Sequence, residues 1–269
     1  MLELQANQFK VVESFFMNKK SCIPALSVIY GNYPGRVFVD DEQTPQIAIV
    51  WATGRWMYLE GSLSTKHNKV DVSRFLQHIV IPDCKQRNEN WFEIYTSDDK
   101  AWNYFFEKEI AFLKVNKHYE SVYALNLNKF APVKRQVKVV EEPIKIDLVH
   151  FDILPQSFYA FPYVRDEFKA KKCIGVEVKK DNQLITVCKN NGFIVGNEYF
   201  IDVDTFAKEE RGKGYATVAA IRLMDHLLEQ QMYPLWETTH ENIPSHKLAV
   251  RLGFEKVENY PVYSFNLEI

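Results

Sequence analysis

A short stretch rich in glycine and positive charge separates a predicted strand from a predicted helix late in the chain. Residues 199–206 have the composition of a β-strand, and apolar residues recur over 216–228 with the 3.6-residue period of a helix. The connection at 211–214 reads Arg-Gly-Lys-Gly. The first turn of a helix carries unpaired backbone N–H groups and partial positive charge, and glycine lets an anion approach the backbone closely. The stretch therefore predicts a binding site for a phosphate-containing ligand, although such a turn also serves as plain helix punctuation.

This glycine loop lacks the spacing of two common nucleotide loops. Gly-x-x-x-x-Gly-Lys-Ser/Thr does not occur, and only the first half of Gly-x-Gly-x-x-Gly is present. Binding of ATP by a kinase-like loop is therefore not expected. A second segment of interest runs over 242–254, after a strand candidate at 233–238. Its Pro244 suits a first helical turn, and its Gly253 suits the position after a helix end.

Taken together, the two segments resemble the GNAT superfamily of N-acetyltransferases. Arg211, Gly214 and Ala216 match the family pattern Arg/Gln-x-x-Gly-x-Gly/Ala. The segment 242–254 is similar to the pattern Asn-x-x-Ala/Ser-x-x-Leu-Tyr-x-x-Leu-Gly-Phe. The resemblance implies an α/β (α+β) fold with a mixed central sheet flanked by helices, and direct transfer of an acetyl group from acetyl-CoA to an amine. One position departs from the family, because Ala249 stands where a tyrosine often protonates the departing thiolate.

The resemblance also implies where acetyl-CoA binds. Its diphosphate would lie on the backbone N–H groups of 211–217, and its extended arm would run beside the end of the preceding strand. The implied cofactor-binding residues are Val203, Thr205, Phe206, Arg211, Gly212, Lys213, Gly214, Tyr215, Ala216, Thr217, Asn242 and Ser245. For Asn242, a role as helix cap is the commoner alternative.

Acidic residues near the predicted strand are candidates for the general base that an ammonium acceptor needs before it can attack. These candidate bases are Asp202, Asp204 and Glu237. Because side chains alternate along a strand, Asp202 and Asp204 share one face. A solvated position, or attraction of a cationic acceptor, explains these acids equally well. Candidates for the missing proton donor are His240, His246, Tyr260 and Tyr263, and ordinary packing explains each of them without chemistry.

Composition limits the class of protein. The chain has 269 residues, 46% of them hydrophobic and 25% charged, which is typical of a soluble globular protein. A formal net charge of −2 favours neither nucleic acid nor an acidic membrane as partner. The four cysteines are scattered without metal-ligand spacing, and no apolar run reaches the length of a membrane span. We therefore expect a cytoplasmic protein without a signal peptide or a metal site, whose partner is a small-molecule amine; a homodimer is left open.

Periodicity and turn residues predict the order of the elements. Helices are predicted over 8–18, 70–79, 99–112 and 156–168 (the last broken at Pro162), strands over 36–40, 46–51, 56–60, 91–95, 119–127, 173–179, 184–189 and 192–195, and either state over 23–31. We expect an N-terminal α/β domain at 1–130, a charged connection at 131–143 in which 137–140 is left open as an edge strand, and the acetyltransferase domain at 144–269.

Two stretches about 140 residues apart have similar sequences, 112–127 and 254–267. This echo predicts two related halves, although short matches also arise by chance. The N-terminal half would then be a GNAT-like domain without the glycine loop, since its counterpart segment 59–64 offers no cradle for an anion. Only the C-terminal half would bind the coenzyme, while the other half braces it and contributes to the acceptor cleft. The departure at Ala249 keeps a second function open, a degenerate domain that binds CoA or a partner without turnover.

Overall fold

The computed structural model describes residues 1–54, 56–63, 65–110, 112–136 and 144–267. The strands are β1 (Leu2–Glu3), β2 (Gly35–Val39), β3 (Ile47–Ala52), β4 (Trp56–Gly61), β5 (Trp91–Thr96), β6 (Lys114–Leu125), β7 (Ile144–Asp152), β8 (Lys172–Lys180), β9 (Gln183–Val195), β10 (Glu198–Thr205), β11 (Tyr233–Thr239) and β12 (Phe254–Asn266). The α-helices are α1 (Glu13–Phe16), α2 (Ile23–Ile29), α3 (Lys66–Phe75), α4 (Ile81–Gln86), α5 (Lys100–Tyr104), α6 (Leu127–Gln136), α7 (Asp166–Lys169), α8 (Tyr215–Leu228) and α9 (Ile243–Arg251). Shorter 3₁₀-helical turns span Ala6–Val12, Lys20–Cys22, Gln156–Ala160 and Lys208–Glu210, and π-helical turns span Leu76–Val80 and Phe105–Glu109.

The predicted strands and the helices over 70–79 and 99–112 are confirmed, with shifts at their ends. The helices predicted over 8–18 and 156–168 are each a 3₁₀-helical turn followed by a four-residue α-helix. The ambiguous stretch 23–31 is helical. The two strand candidates at 184–189 and 192–195 form one strand, β9. They join because a bulge opposite Phe200 accommodates the additional residues of β9 between Asn190 and Ile194.

The predicted connection at 131–143 differs from the structure where it is described. Residues up to Gln136 continue helix α6, although Pro132 lies inside it. The helix persists because Phe130 is buried and Val133 packs against the same core, so tertiary packing outweighs the poor propensity. Residues 137–143, including the edge strand considered there, lie outside the described residues. As a division between domains, 131–143 stays a prediction.

The chain forms two compact units. The first comprises 1–120, 161–164 and 259–269. Its strands follow the order β1-β2-β3-β4-β5-β12, in which β4 and β5 are parallel and the other four neighbouring pairs are antiparallel. Its core is rich in aromatic side chains, among them Phe75, Phe92, Trp102, Phe106 and Phe265.

The second unit comprises 121–160 and 165–258. Its strands follow the order β7-β8-β9-β10-β11-β6, in which β10 and β11 are parallel. Helix α8 packs on this sheet through its apolar stripe, with Ala219, Ala220, Leu223, Met224 and Leu227 buried. Burial of each large apolar side chain contributes about 1.5–3 kcal/mol, which is what holds this moderately amphipathic helix on the sheet.

The two units share one topology. Each has five strands from its own half of the sequence, with the parallel pair at the fourth and fifth positions, and a sixth strand that comes from the other half. Strand β6 contributes 121–125 to the second unit, and β12 contributes 259–266 to the first. The predicted relationship between the halves is thus confirmed in the fold, together with an exchange of the last strand. Within the described ranges, no helix is both long and apolar enough to cross a membrane.

Candidate functional site

Strands β10 and β11 separate before they end. Their parallel pairing runs from Glu198 and Tyr233 to Ile201 and Trp236, and no further register pair forms in the described residues. Strand β10 nevertheless continues to Thr205, paired on its other edge with β9. The backbone beyond Ile201 therefore has one edge without a neighbouring strand, and such an edge can accept hydrogen bonds from an extended ligand.

A bulge in β9 accompanies this separation. Between the pairs Tyr199–Ile194 and Ile201–Asn190, β9 advances four residues while β10 advances two. The Asn190 side chain accepts a hydrogen bond from the N–H of Gly192 (3.1 Å), which fixes the bulged backbone. Bulges increase local twist, so this one helps β10 turn away from β11.

The glycine loop lies between β10 and α8. Gly212 and Gly214 adopt the left-handed backbone region, with φ of +80° and +93°, and Gly214 is the N-cap of α8. A Cβ built on either glycine would meet no atom within 4 Å. In the described part of the chain, no acceptor is paired with the backbone N–H groups of Gly212, Gly214, Ala216 or Thr217. The loop therefore presents several free donors to open space at the positive end of a helix, which is the arrangement that binds phosphate.

A cavity of about 480 Å³ lies against this loop. It is lined by Val203, Asp204, Thr205, Glu210, Arg211, Gly212, Gly214, Tyr215, Ala216, Thr217, Trp236, Asn242, Pro244, Ser245, Lys247, Leu248 and Arg251. The lining combines the free edge of β10, the start of α8 and one face of α9. Its volume is in the range of ligand pockets in proteins, so a ligand of coenzyme size can occupy it in part and extend beyond it.

Positive charge surrounds the cavity unevenly. The Arg211 Nε donates to the carbonyl oxygen of Thr205 (3.2 Å), and this bond ties the loop to the end of β10. Lys213 instead donates to Glu210 (2.9 Å), and this hydrogen bond lowers the pKa of the Glu210 carboxyl. Lys247 and Arg251 are exposed, and neither forms an ion pair with any residue the structure describes. These two cations are free to meet a phosphate.

The start of helix α9 is fixed by two hydrogen bonds. The Asn242 side chain accepts from the backbone N–H of Ser245 (3.2 Å), so it caps the helix. The Ser245 hydroxyl accepts from the indole N–H of Trp236 (2.9 Å), which is only 2% exposed. Ala249, one turn further along, is fully buried. The position that carries a tyrosine in the resembled family therefore offers no acid here.

His246 is held at both ring nitrogens. Its Nδ1 lies 2.6 Å from the hydroxyl of Tyr123, and its Nε2 lies 3.2 Å from the carbonyl oxygen of His240. A carbonyl can only accept, so Nε2 carries the proton and Tyr123 donates to Nδ1. Desolvation raises the pKa of Tyr123. Both histidine nitrogens are thus used within the protein, and this geometry favours a structural role over proton donation.

Asp202 and Asp204 lie on the same face of β10, opposite Lys189 and Val187 of β9. Asp204 is exposed and lines the cavity. Asp202 follows directly after the last parallel pair, on the face opposite to Ile201 and Trp236. The Asp202 side chain is exposed to solvent, but many protein atoms surround it. The resulting desolvation raises the pKa of its carboxyl to about 6; Lys189 opposes this rise and Asp204 adds to it.

Most of the sequence-predicted residues come together at the cavity. Of the predicted cofactor-binding residues and candidate bases, all line it except Asp202, Glu237, Phe206 and Lys213. The candidate proton donors do not line it: His240, His246, Tyr260 and Tyr263. The sequence reasoning missed Glu210, Trp236, Pro244, Lys247, Leu248 and Arg251. Four of these stand at helical spacing on α9, so the 3.6-residue period was the signal that identifies them. Clusters of three or more metal-ligating side chains do not occur among the described residues.

The first unit has a counterpart of this site, and its own side chains fill it. Trp102 is the third residue of α5, as Ser245 is of α9. Its indole is 1% exposed and donates to the carbonyl oxygen of Gly61, the last residue of β4 (2.9 Å). Glu60 follows the last parallel pair of β4 and β5, as Asp202 does in the second unit.

This counterpart of Asp202 is already paired. Lys19 approaches the Glu60 carboxylate to 2.8 Å, and the hydroxyl of Ser97 donates to the same carboxylate (2.8 Å). Trp102 therefore fills the gap between the strands, and this ion pair occupies the carboxylate beside it. These contacts support the expectation that the second half alone binds a coenzyme.

Comparison with known proteins gives a consistent result. A sequence model described as GNAT acetyltransferase matches residues 14–263. The uncharacterized N-acetyltransferase YdfB of Bacillus subtilis (strain 168) is 22% identical over 263 residues, covering 97% of each chain. A GCN5-related N-acetyltransferase-like protein from Streptococcus suis 89/1591 has a similar fold, with a TM-score of 0.66, 19% identity and coverage of 97% of this chain and 99% of that one. A tandem GNAT protein from the clavulanic acid biosynthesis pathway has a TM-score of 0.61, 10% identity and coverage of 98% and 97%.

Proposed function

The chain belongs to the GNAT acetyltransferase family, and we propose that it transfers the acetyl group of acetyl-CoA to a primary amine of a small molecule by direct attack of the amine. It is an acetyltransferase, as its family and its curated relative indicate. A cytoplasmic location is part of the proposal and is supported by four buried cysteines that are all free thiols.

One observation carries the proposal. The free edge of β10 beyond Ile201 leads directly to the glycine loop, so a single cavity joins an unpaired strand edge to an anion cradle. An extended, amide-containing arm that ends in a diphosphate suits this combination. The arm can add to the strand edge through backbone hydrogen bonds, and the diphosphate can lie on the loop amides.

The residues present fit acetyl-CoA. A side chain at Gly212 or Gly214 would project into the open space that the phosphates need. Lys247 and Arg251 add charge for a further phosphate, and Trp236 and Leu248 give the cavity an apolar wall. When bound, acetyl-CoA supplies the acetyl group as a thioester, whose carbonyl carbon the amine attacks and whose sulfur leaves with the bonding electron pair.

Asp202 is the candidate base that the structure favours. It stands where the two strands part, on the face away from the helices α8 and α9, so an amine can approach from the side opposite the coenzyme. With a pKa of about 6, its carboxyl is ionised at neutral pH yet is a stronger base than an ordinary aspartate. Asp202 would take one proton from the ammonium form of the acceptor and pass it to water.

A second function stays in view because of Ala249. Alanine has no acidic group, and this one is fully buried, so no tyrosine-like acid exists at that position. Both ring nitrogens of His246 are hydrogen-bonded within the protein. A domain that binds CoA or a partner without turnover also accounts for these features. The intact glycine loop and the raised pKa of Asp202 favour catalysis instead.

Release of free thiol distinguishes the two functions. The full chain is mixed with acetyl-CoA and a panel of primary amines, and thiol formation is followed over time. The transferase predicts acceptor-dependent release that disappears in Asp202→Asn, while CoA still binds to that variant. CoA binding without release for any amine supports the binding module.

A further inference from the structure

Two opposite charges lie side by side next to the proposed reaction centre but do not pair. Asp202 on β10 and Lys189 on β9 are direct cross-strand neighbours, so their side chains project from the same face of the sheet. Residues in such positions have Cβ atoms about 4.5–5.5 Å apart, within easy reach of an ion pair. Neither side chain forms a salt bridge or hydrogen bond with any described residue. Something in the local structure therefore keeps them apart.

The ring of Phe151 explains the separation. The Lys189 ammonium lies 5.7 Å from the centroid of this ring, which is a cation–π distance. The ring is brought close by Gly175, the register partner of Lys189 on β8. A Cβ at Gly175 would approach Phe151 Cε2 to 2.6 Å and Lys189 Cβ to 2.7 Å, so only glycine leaves room for this stacking. Lys189 is thus directed along the sheet, away from Asp202.

The result is an unpaired carboxylate and an unpaired ammonium with an aromatic ring beside the ammonium. Lys189 is half-buried, so it retains less hydration than a surface lysine and gains more from an anionic partner. The other lysine that is well placed on this sheet, Lys179, is already paired with Glu177 at 2.5 Å. Lys189 therefore remains available to a ligand, since it forms no ion pair within the part of the chain that the structure describes.

We infer that the acceptor is an aminocarboxylate, such as an amino acid, whose amino group lies at Asp202 and whose carboxylate is bound by Lys189. The inference rests on the proposed function and assigns the substrate class of the same site. A simple amine or a polyamine would leave Lys189 without a partner and would place a second positive charge near it. An aminocarboxylate satisfies both protein charges with its own two charges, and Phe151 gives it an apolar surface.

Matched acceptors test this assignment in the full chain. Each set contains an L-amino acid, its amide and the corresponding decarboxylated amine, for leucine, phenylalanine, glutamate and lysine. The variants are Lys189→Gln and, as control, Lys179→Gln, in which a lysine of the same sheet is removed. Since Lys189 also lowers the pKa of Asp202, rates are measured at about pH 8, where that carboxyl is ionised in every variant. Calorimetry of the same amino acids in the presence of CoA measures binding without turnover.

We expect kcat/KM for the best amino acid to exceed that of its amide at least about tenfold, a difference of about 1.4 kcal/mol. Lys189→Gln should remove this preference and lower the amino acid affinity, while leaving amides and amines near their wild-type rates. Lys179→Gln should change neither. Equal rates for acids and amides, or an equal loss for all acceptors in Lys189→Gln, would overturn the assignment.

The calorimetric arm separates this inference from the proposed function. If no amine releases thiol, the proposed transfer fails, yet Lys189-dependent binding of an amino acid would still support the assignment of the acceptor site. If thiol is released but amino acids neither bind better nor react faster than their amides, the transfer stands and the assignment is wrong.

Discussion

Replacing Ser245 of the second unit with tryptophan, the residue at the equivalent position of the first unit, is expected to fill the open site. Ser245 and Trp102 occupy the third position of equivalent helices; the serine lines a cavity, whereas the tryptophan is buried. The substitution Ser245→Trp places an indole where the arm of the coenzyme must pass. The first unit shows that this topology accepts such a side chain, because Trp102 is almost fully buried and hydrogen-bonded to Gly61.

The expected loss follows from the size of the side chain. A tryptophan side chain buries about 150–250 Å² of surface. Here its indole would take up part of the cavity of about 480 Å³ that the coenzyme needs. We expect CoA affinity to fall at least about a hundredfold, or about 2.8 kcal/mol. Stability is affected separately, since Trp236 loses its acceptor, and an unsatisfied buried donor costs about 1–3 kcal/mol.

The substitution Ser245→Ala is the matched control. It removes the same hydrogen bond but adds no bulk, so it should lower the free energy of unfolding while CoA affinity stays near the wild-type value. Calorimetric titration with CoA and thermal unfolding measure the two effects. Tight CoA binding by Ser245→Trp, in a protein that unfolds cooperatively, would refute the placement of the coenzyme arm. A loss of affinity in Ser245→Ala equal to that in Ser245→Trp would show that the hydrogen bond, not the space, decides binding.

Three further predictions concern the same unit. Asp202→Asn should lower kcat/KM about 10²–10⁴-fold, and the wild-type rate should rise with pH to a plateau above about 6, the pKa of Asp202. The folded protein holds the Asp202 proton more tightly than the unfolded chain does. The same variant should therefore be more stable than wild type at pH 7, and this gain in stability should fade as the pH falls below 6. A rate that is independent of pH across this range would exclude Asp202 as base. Lys247→Gln and Arg251→Gln should each weaken CoA binding about two- to fivefold at low ionic strength and less at high salt, as exposed charge contacts do. Titrations with CoA at two salt concentrations check this. Unchanged affinity at both concentrations would show that neither side chain contacts CoA. Tyr123→Phe should lower the free energy of unfolding by about 0.5–1.5 kcal/mol and leave turnover unchanged; a selective loss of kcat would instead assign a proton to the Tyr123–His246 pair.

The glycine loop was predictable because its signal is local. Helix period, glycine spacing and the change from strand to helix all lie within about thirty residues, and the structure places free backbone donors there. The capping role of Asn242 was predictable for the same reason, since a cap depends on the three residues that follow it.

The remaining features depend on contacts between distant segments. The exchange of β6 and β12 between units leaves no mark on either strand, because both read as ordinary alternating strands. Trp102 reads as a core aromatic, and only the fold shows that it stands at the position of Ser245.

The pairing of Lys189 with Phe151 also requires the sheet register. It depends on the approach allowed by Gly175, two strands away from Asp202. The sequence offers Asp202 as a candidate base by its position alone and gives no sign of the desolvation that raises the pKa of its carboxyl.

Titration of CoA into two glycine variants tests the central claim most directly. Gly214→Glu puts bulk and negative charge into the cradle, whereas Gly196→Glu makes the same change at another left-handed glycine (φ +59°) that also faces open space, in the turn between β9 and β10. Gly196 lies within the left-handed region that other residues also adopt, whereas Gly214 lies beyond it, so Gly214→Glu should lose more stability. Thermal unfolding therefore checks that both variants are folded when CoA is added. We expect wild type and Gly196→Glu to bind CoA and Gly214→Glu not to bind it. Wild-type affinity in Gly214→Glu would contradict it.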